Sequence, residues 1–292
     1  MEEWVRSFLL HLQNKNFSPN TVKSYRADLE EFLLFVKQRK QNELRYFASP
    51  LIRSFLASLN NRDPARNTVL RKIAALRSFA AYLLAQGKLE RNPFKLLPAP
   101  KREKLLPKFL TLPETERLLE TAGENEHFAA RNKALFELMY SSGLRRSEVT
   151  GLKIRDVDFF NGIVKVFGKG AKERLVPVTD AALTALKTYL STRKNPQSDE
   201  ALFLNKNGKP LTGDGLAYIF RNTAIASHLA RKVTPHSLRH SFATHLLNNG
   251  CDLRSLQEML GHKTLAATQV YTHVSLDKLK SVYSHAHPKN KE

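Results

Sequence analysis

Cysteine is almost missing from this sequence: Cys251 is the only one in 292 residues. A lone thiol closes no intramolecular disulfide and builds no cysteine-rich zinc site, so a reducing cytoplasm is the expected compartment and Cys251 reads as a small packing residue. Long apolar runs are missing as well. No stretch approaches the ~18 residues of a spanning helix, and the opening Met1-Glu2-Glu3 lacks the basic start of a secretory signal, so no membrane partner is expected. Glycine (12) and proline (13) are too few for a collagen-like or low-complexity chain. Acidic residues are the last deficit, with 27 Asp+Glu against 47 Lys+Arg and a formal charge of +20. A field of that sign attracts a polyanion, and with no membrane segment the expected polyanion is nucleic acid.

What is present is a chain that folds, 42% hydrophobic and 25% charged. At about 150 residues per domain the length predicts two domains, each large enough to bury a core. Residues 1–95 read as a helical domain. Ser18-Pro19 supplies an N-cap and first-turn proline, after which Val22, Tyr25, Leu29, Phe32, Leu33 and Val36 recur at helical spacing, with Lys23, Arg26 and Lys37 off the stripe. A second long helix is predicted from Pro64 to Gly87, with Val69, Ile73, Leu76, Ala80 and Leu83 inward and basic residues elsewhere. Lys23, Arg26, Arg66, Arg71, Lys72 and Arg77 are candidate phosphate contacts, and a plain solvated basic face accounts for them equally well.

Periodicity fails over 96–110, where Pro98, Pro100 and Pro107 stand among Lys101, Arg102, Lys104 and Lys108; this is a basic linker or a solvated tether. From 111 to 292 the pattern is α with a small β insert. Thr111 and Glu114 have capping-box spacing, and a helix from Ala129 to Tyr140 halts near Gly143. An Asn161-Gly162 turn inside 156–167, followed by Leu175–Val178, predicts a short antiparallel sheet. Helices are then predicted near 180–193, 213–231, 235–248, 252–260, 264–273 and 276–285, with caps at Thr234-Pro235, Asp252 and Ser275.

The second domain places its cations and proton-handling groups at the ends of these elements. Arg145 follows Gly143 in Gly-Leu-Arg-Arg-Ser-Glu148, and Lys169 sits between two glycines at a β-turn. His236 and Arg239 share the first turn and face of one helix, whose positive end favours an anion. His262 follows Gly261, and Tyr271 lies nine residues on. Two arginines, a lysine and two histidines without an acidic cage suit metal-free attack on a phosphodiester, the guanidiniums holding nonbridging oxygens. The nucleophile is then a side chain. A tyrosine hydroxyl, ordinarily near pKa ~10, becomes more acidic among cations, and its phosphodiester conserves the broken bond's energy, so no ATP is needed.

The competing readings are weighed on the same residues. His236 and His240 have zinc-helix spacing, but Ser237 replaces the usual glutamate and Arg239 sets a cation beside any metal, so none is expected. His240 and His245 read as packing or hydrogen-bonding groups. Tyr140, Tyr218 and Tyr283 suit the chemistry but lie in helical stripes, where tyrosine is usually core. Tyr271 alone would be read the same way; its place after His262 reverses that. Lys172 and Arg174 read as DNA-backbone contacts.

In this order and spacing the set resembles the tyrosine recombinases, or phage-integrase family, and within them the Xer recombinases of bacteria and archaea. The resemblance covers nearly the whole chain. It implies a mainly α fold: an N-terminal helical-bundle (SAM-like) DNA-binding domain over 1–95 and an α+β catalytic domain over 111–292 with a small antiparallel sheet. It implies that Arg145 and Arg239 bind the scissile phosphate, that Lys169 is the general acid, and that His236 and His262 hydrogen-bond or exchange protons there. It implies too that Tyr271 forms a 3′-phosphotyrosyl link and that Glu148 orients Arg145. Arg146 stands where relatives often carry an aliphatic residue, a peripheral departure.

The partners the resemblance implies are double-stranded DNA with a dif-type site and a homo- or heterotetramer on two sites, formed alone or with a Xer paralogue. The resemblance further implies that strands pass through a Holliday junction, under an FtsK-type septal DNA translocase, to resolve chromosome dimers before cell division. No cofactor is implied. The stripe Leu276, Leu279, Val282 and Tyr283 of the final helix is expected to dock on a neighbouring protomer, folding back in cis being the alternative. A mobile-element integrase, a type IB topoisomerase and a non-catalytic architectural DNA-binding protein remain the rival functions; the small N-terminal catalytic domain of serine recombinases has no counterpart.

Overall fold

The structure, a computed structural model, describes residues 1–39, 49–60, 66–94, 109–124, 128–168, 173–261 and 273–290. The chain divides into two compact units, Met1–Lys104 and Leu105–Glu292. The linker expected over 96–110 lies outside the described residues except for Phe109 and Leu110.

The first unit is helical: α1 (Glu2–Asn14), α2 (Pro19–Gln38), α3 (Ser49–Asn60) and α4 (Arg66–Ala85). At the head of α2 the Ser18 hydroxyl accepts the Thr21 N–H at 3.2 Å, with Pro19 in the first turn. The α2 stripe Val22, Leu29, Phe32, Leu33 and Val36 is buried, and so are Val69, Ile73, Leu76, Ala80 and Leu83 of α4. Phe32 meets Phe55 of α3 edge-on with ring centres 5.1 Å apart. Ion pairs stitch α2 to α4 beside this core. Arg71 donates to Asp28 at 2.5 Å and to the Ser24 carbonyl at 3.2 Å, and Lys72 pairs with Glu31.

The second unit holds α5 (Leu112–Thr121), α6 (Ala129–Ser142), α7 (Arg146–Gly151), β1 (Val157–Asp158), β2 (Ile163–Phe167), β3 (Glu173–Pro177), α8 (Asp180–Ser191), α9 (Gly213–Ala226), α10 (Pro235–Asn248), α11 (Leu253–Leu260) and α12 (His273–Ala286). The strands form one antiparallel sheet in the order β1-β2-β3, with Val166 opposite Arg174. Thr111 and Glu114 make the capping box of α5, and the Thr234 and Asp252 side chains cap α10 and α11. Cys251 is buried, which pushes its thiol up to about 11, helped by neighbouring Asp252, and leaves it inert.

Three expectations change. The helix predicted over 213–231 ends at Ala226, because His228 takes a left-handed φ of 51° and Leu229 and His228 donate to the Ala224 and Ile225 carbonyls. That is a Schellman stop carried by a histidine in place of the usual glycine. Ser275 lies inside α12, which starts at His273, so it is no cap; the helix expected over 264–273 lies outside the described residues apart from His273. Leu279 and Tyr283 of the α12 stripe are buried in cis rather than left for a neighbour, Val282 is half-buried, and the Leu276 side chain lies outside the described residues. Leu279 and Tyr283 join the unit's own core, the Tyr283 hydroxyl donates to the Ser141 carbonyl at 2.8 Å, and Lys289 beyond the helix pairs with Glu137 at 2.6 Å.

Gly143 sets the direction in which the chain leaves α6. Its φ is +58°, and an added Cβ would stand 2.3 Å from the ring of buried Phe242. Gly143→Ala is therefore expected to cost about 2–4 kcal/mol, adding left-handed strain to overpacking. Thermal melting should show a drop of roughly 5–10 °C; a loss below about 1 kcal/mol would contradict the close approach.

Candidate active site

Past Gly143 the backbone extends at Arg145 (φ −74°, ψ 154°) before α7 begins, so Glu148 falls three residues into the turn and reaches back. Its carboxylate takes four hydrogen bonds. Oε1 accepts from Arg145 Nη1 at 2.8 Å and Arg174 Nη1 at 2.9 Å, while Oε2 accepts from the Arg145 backbone N–H at 2.7 Å and Arg174 Nη2 at 2.8 Å. Arg239 of α10 closes the group, with Nη1 3.8 Å from Glu148 Oε2.

The same three arginines end a helix. The last carbonyls of an α-helix lack partners and carry the negative end of its dipole. At the end of α11 three successive carbonyls are taken up: Met259 by Arg174 Nε at 2.8 Å, Leu260 by Arg239 Nη2 at 2.7 Å and Gly261 by Arg145 Nη2 at 3.2 Å. Arg239 Nη1 also donates to the Gly143 carbonyl at 2.6 Å, so one guanidinium ties the ends of α6 and α11 together. Exposure separates the three. The Arg145 side chain is 40% exposed, whereas Arg239 and Arg174 are only 7% and 5% exposed.

Electrostatics follows the geometry. Burial pushes the Glu148 carboxyl up, but the hydrogen bonds and charge of Arg174, then Arg145, outweigh it and hold the group at about 2. Burial, then the Arg145 charge, pushes Arg239 down to about 10, so it remains a cation at neutral pH. Three cations therefore share one anion, which leaves a net positive site able to take a phosphate at its exposed arginine. A concavity of about 910 Å³ elsewhere, lined by Arg131, Asn132, Thr212, Tyr218 and Asn222, holds none of these residues.

Comparison with known proteins decides the family. The phage integrase family profile matches residues 108–277, and that of the phage integrase N-terminal SAM-like domain matches residues 5–87. The chain belongs to the phage integrase family. It is 44% identical to tyrosine recombinase XerC of Halalkalibacterium halodurans, over 99% of this chain and 98% of that one. It is 36% identical to tyrosine recombinase XerD of Staphylococcus haemolyticus, over 99% of this chain and all of that one. Among solved structures it is similar to the XerH site-specific recombinase bound to difH substrate, in a pre-cleavage complex. There the TM-score is 0.67 and the identity 27%, over 90% of this chain and 79% of that chain. The protein is a tyrosine recombinase, an enzyme that cleaves and rejoins DNA in site-specific recombination.

Of the residues singled out in its sequence, the recombinase gathers Arg145, Glu148 and Arg239 in one cluster, with His236 exposed one turn before Arg239. Lys169, Lys172, His262 and Tyr271 lie outside the described residues. Arg146 turns to α9: its Nη1 is 3.9 Å from Asp214, and a Cβ on Gly213 would stand 3.2 Å from its Nε. His240 packs edge-on against Phe109. His245 is buried and donates through Nε2 to the Leu110 carbonyl while Nδ1 accepts the Tyr140 hydroxyl, both at 2.9 Å. Burial lowers its pKa. Tyr140 and Tyr283 are core, and burial pushes both hydroxyls far above their ordinary value. Tyr218 is not core: it is 57% exposed, with the Arg221 guanidinium 5.4 Å from its ring centre.

Among the candidate DNA contacts of the recombinase, Lys23 and Arg26 are exposed, Arg77 is half-buried, and the Arg66 side chain lies outside the described residues. Lys72 is corrected, being buried against Glu31, and Arg71 is shared with Asp28. Arg174 is corrected too. It is a buried partner of Glu148. The signal for it was strand alternation: Arg174 and Val176 share the inward face of β3, and both are buried.

Proposed function

We propose that this recombinase resolves chromosome dimers at a dif-type site, with Arg145, Lys169, His236, Arg239, His262 and Tyr271 as its catalytic set. The observation that carries the chemistry is the positive cluster around Glu148, in which Arg145 is open to solvent and Arg239 is fixed behind it. End-to-end similarity to both XerC and XerD supports the cellular role.

Arg145 and Arg239 hold the nonbridging oxygens of the scissile phosphate and stabilise the charge that builds there. The Tyr271 oxygen, giving up its hydroxyl proton to a histidine of the set or to solvent, attacks phosphorus and the bond to the 5′ oxygen breaks. Lys169 gives its proton to the departing alkoxide, and a 3′-phosphotyrosine remains. His236 and His262 hydrogen-bond or exchange protons at the phosphate. Attack by a 5′-hydroxyl of the partner strand reverses the step with no external energy. The exposed Lys23 and Arg26 contact the DNA backbone. Four protomers act on two sites, alone or with a Xer paralogue and under a septal translocase of the FtsK type.

The test is to quench the protein with genomic DNA in denaturant, sequence the protein-linked ends and find the modified residue by mass spectrometry. An adduct on Tyr271 with ends gathered at one chromosomal locus is the expected result. Ends gathered within a mobile element would make the protein an integrase, and ends scattered genome-wide would indicate topoisomerase-like relaxation. No adduct, with or without a paralogue present, would overturn the catalytic reading.

A further inference from the structure

We infer that Arg174 is a positioning residue of the cleavage reaction, a strut that ties the strand beyond Lys169 to Glu148 and to the end of α11. The inference rests on the catalytic set proposed above. Arg174 offers three sides of a planar fork to three fixed acceptors: Nη1 and Nη2 to the two Glu148 oxygens at 2.9 and 2.8 Å, and Nε to the Met259 carbonyl at 2.8 Å. It sits in β3, two residues after Lys172, on the hairpin that carries Lys169. Glu148, its partner, holds both the backbone and the guanidinium of Arg145. Met259 opens the run of carbonyls that Arg239 and Arg145 complete, and His262 follows directly. One side chain therefore sets the relative positions of three segments that each carry proposed catalytic residues.

Two observations separate this role from its alternatives. The guanidinium is covered: a Cβ on Gly261 would stand 3.2 Å from Arg174 Cδ and 3.3 Å from its Nε and Nη1. Gly261, at φ +64°, is thus both a left-handed stop for α11 and a close neighbour packed on the buried Arg174 side chain. Plain stability explains it poorly. A buried ion pair gains little over apolar packing of the same volume, because desolvation offsets its Coulomb energy. What a fully satisfied fork provides is fixed geometry, which a lysine ammonium, a single point charge, cannot reproduce.

The experiment compares wild type, Arg174→Lys, Arg174→Gln, Glu148→Gln and the double variant Arg174→Lys/Glu148→Gln. Each is measured for thermal melting, duplex affinity and single-turnover covalent cleavage at saturating DNA across pH. Arg174→Lys is expected to bind DNA within about threefold of wild type and to cleave at least roughly 30-fold more slowly. Its rate should also begin to fall at a higher pH on the acid side, because Glu148 exchanges the bidentate fork that most lowers its pKa for a single point charge. The double variant should be no slower than the slower single variant, since both changes cut one link. Cleavage by Arg174→Lys at the wild-type rate would overturn the inference. So would equal losses of affinity and cleavage, the mark of a DNA contact, or additive losses in the double variant. Failure of both Arg174 variants to fold would make the strut purely structural and overturn it as well. Absence of cleavage by the wild type under these conditions would instead overturn the catalytic reading on which the strut depends.

Discussion

Tyr271→Phe is expected to bind duplex DNA as the wild type does and to form no covalent protein–DNA complex. The change removes one oxygen, and with it the only atom proposed to attack phosphorus. No other tyrosine of the catalytic unit is placed to substitute. Tyr140 donates to His245 and Tyr283 to the Ser141 carbonyl, and burial makes both hydroxyls poorer acids. Tyr218 is exposed but stands beside Arg221 on α9, and Tyr189 is buried, its hydroxyl accepting the Leu204 N–H. Cleavage should therefore drop by a factor of roughly 10⁴ or more. Affinity rests on many phosphate contacts and should be kept. A labelled duplex with a nick near the scissile phosphate, run on a denaturing gel, reads both arms when paired with a binding assay. Covalent complexes that persist in Tyr271→Phe would sink the assignment.

Arg239→Ala is expected to lower single-turnover cleavage at saturating DNA by roughly 10²–10³-fold while affinity changes only severalfold. The reason lies in how the side chain is held. Its guanidinium is fixed by the Gly143 and Leu260 carbonyls at 2.6 and 2.7 Å, so no reorganisation is needed as charge grows on the phosphate. Alanine removes that preorganised charge. It also leaves two buried carbonyls without donors, each costing about 1–3 kcal/mol, so the melting temperature should fall. Arg239→Lys separates the two effects, since it keeps a cation but reaches one carbonyl at a time, and it should restore stability more than rate. Equal losses in cleavage and affinity for Arg239→Ala would mean that the residue merely binds DNA in the ground state.

Sequence reasoning grouped Arg145, Glu148 and Arg239, which the fold brings together, and misjudged their neighbours, and residues three to four apart show why. Arg145 and Glu148 lie three apart, and their contact follows from a helix start with an acidic third residue. Ser18, Thr111, Thr234 and Asp252 act on backbone groups three residues on, so their caps were legible as well. The end of α9 was not, because its left-handed position is held by His228 instead of glycine. Tyr218 lies in a helical stripe by its sequence, and only the fold shows that it stands on the exposed face of α9.

Local chemistry was therefore decided in the sequence alone: the two helical stripes of the first unit, the hairpin at Asn161-Gly162, the stop at Gly143, and the ordered set of cations and tyrosine that marks the family. These depend on neighbours within a turn or two, where periodicity and capping act. Only the tertiary structure decided which basic residues remain free. Arg174 is neutralised by a carboxylate 26 residues away, and Lys72 by one 41 residues away. The final helix, likewise, covers its own unit through Tyr283 and Ser141, 142 residues apart. A charge is buried or exposed according to what packs over it, and that is fixed by the whole fold rather than by the residues beside it in the chain.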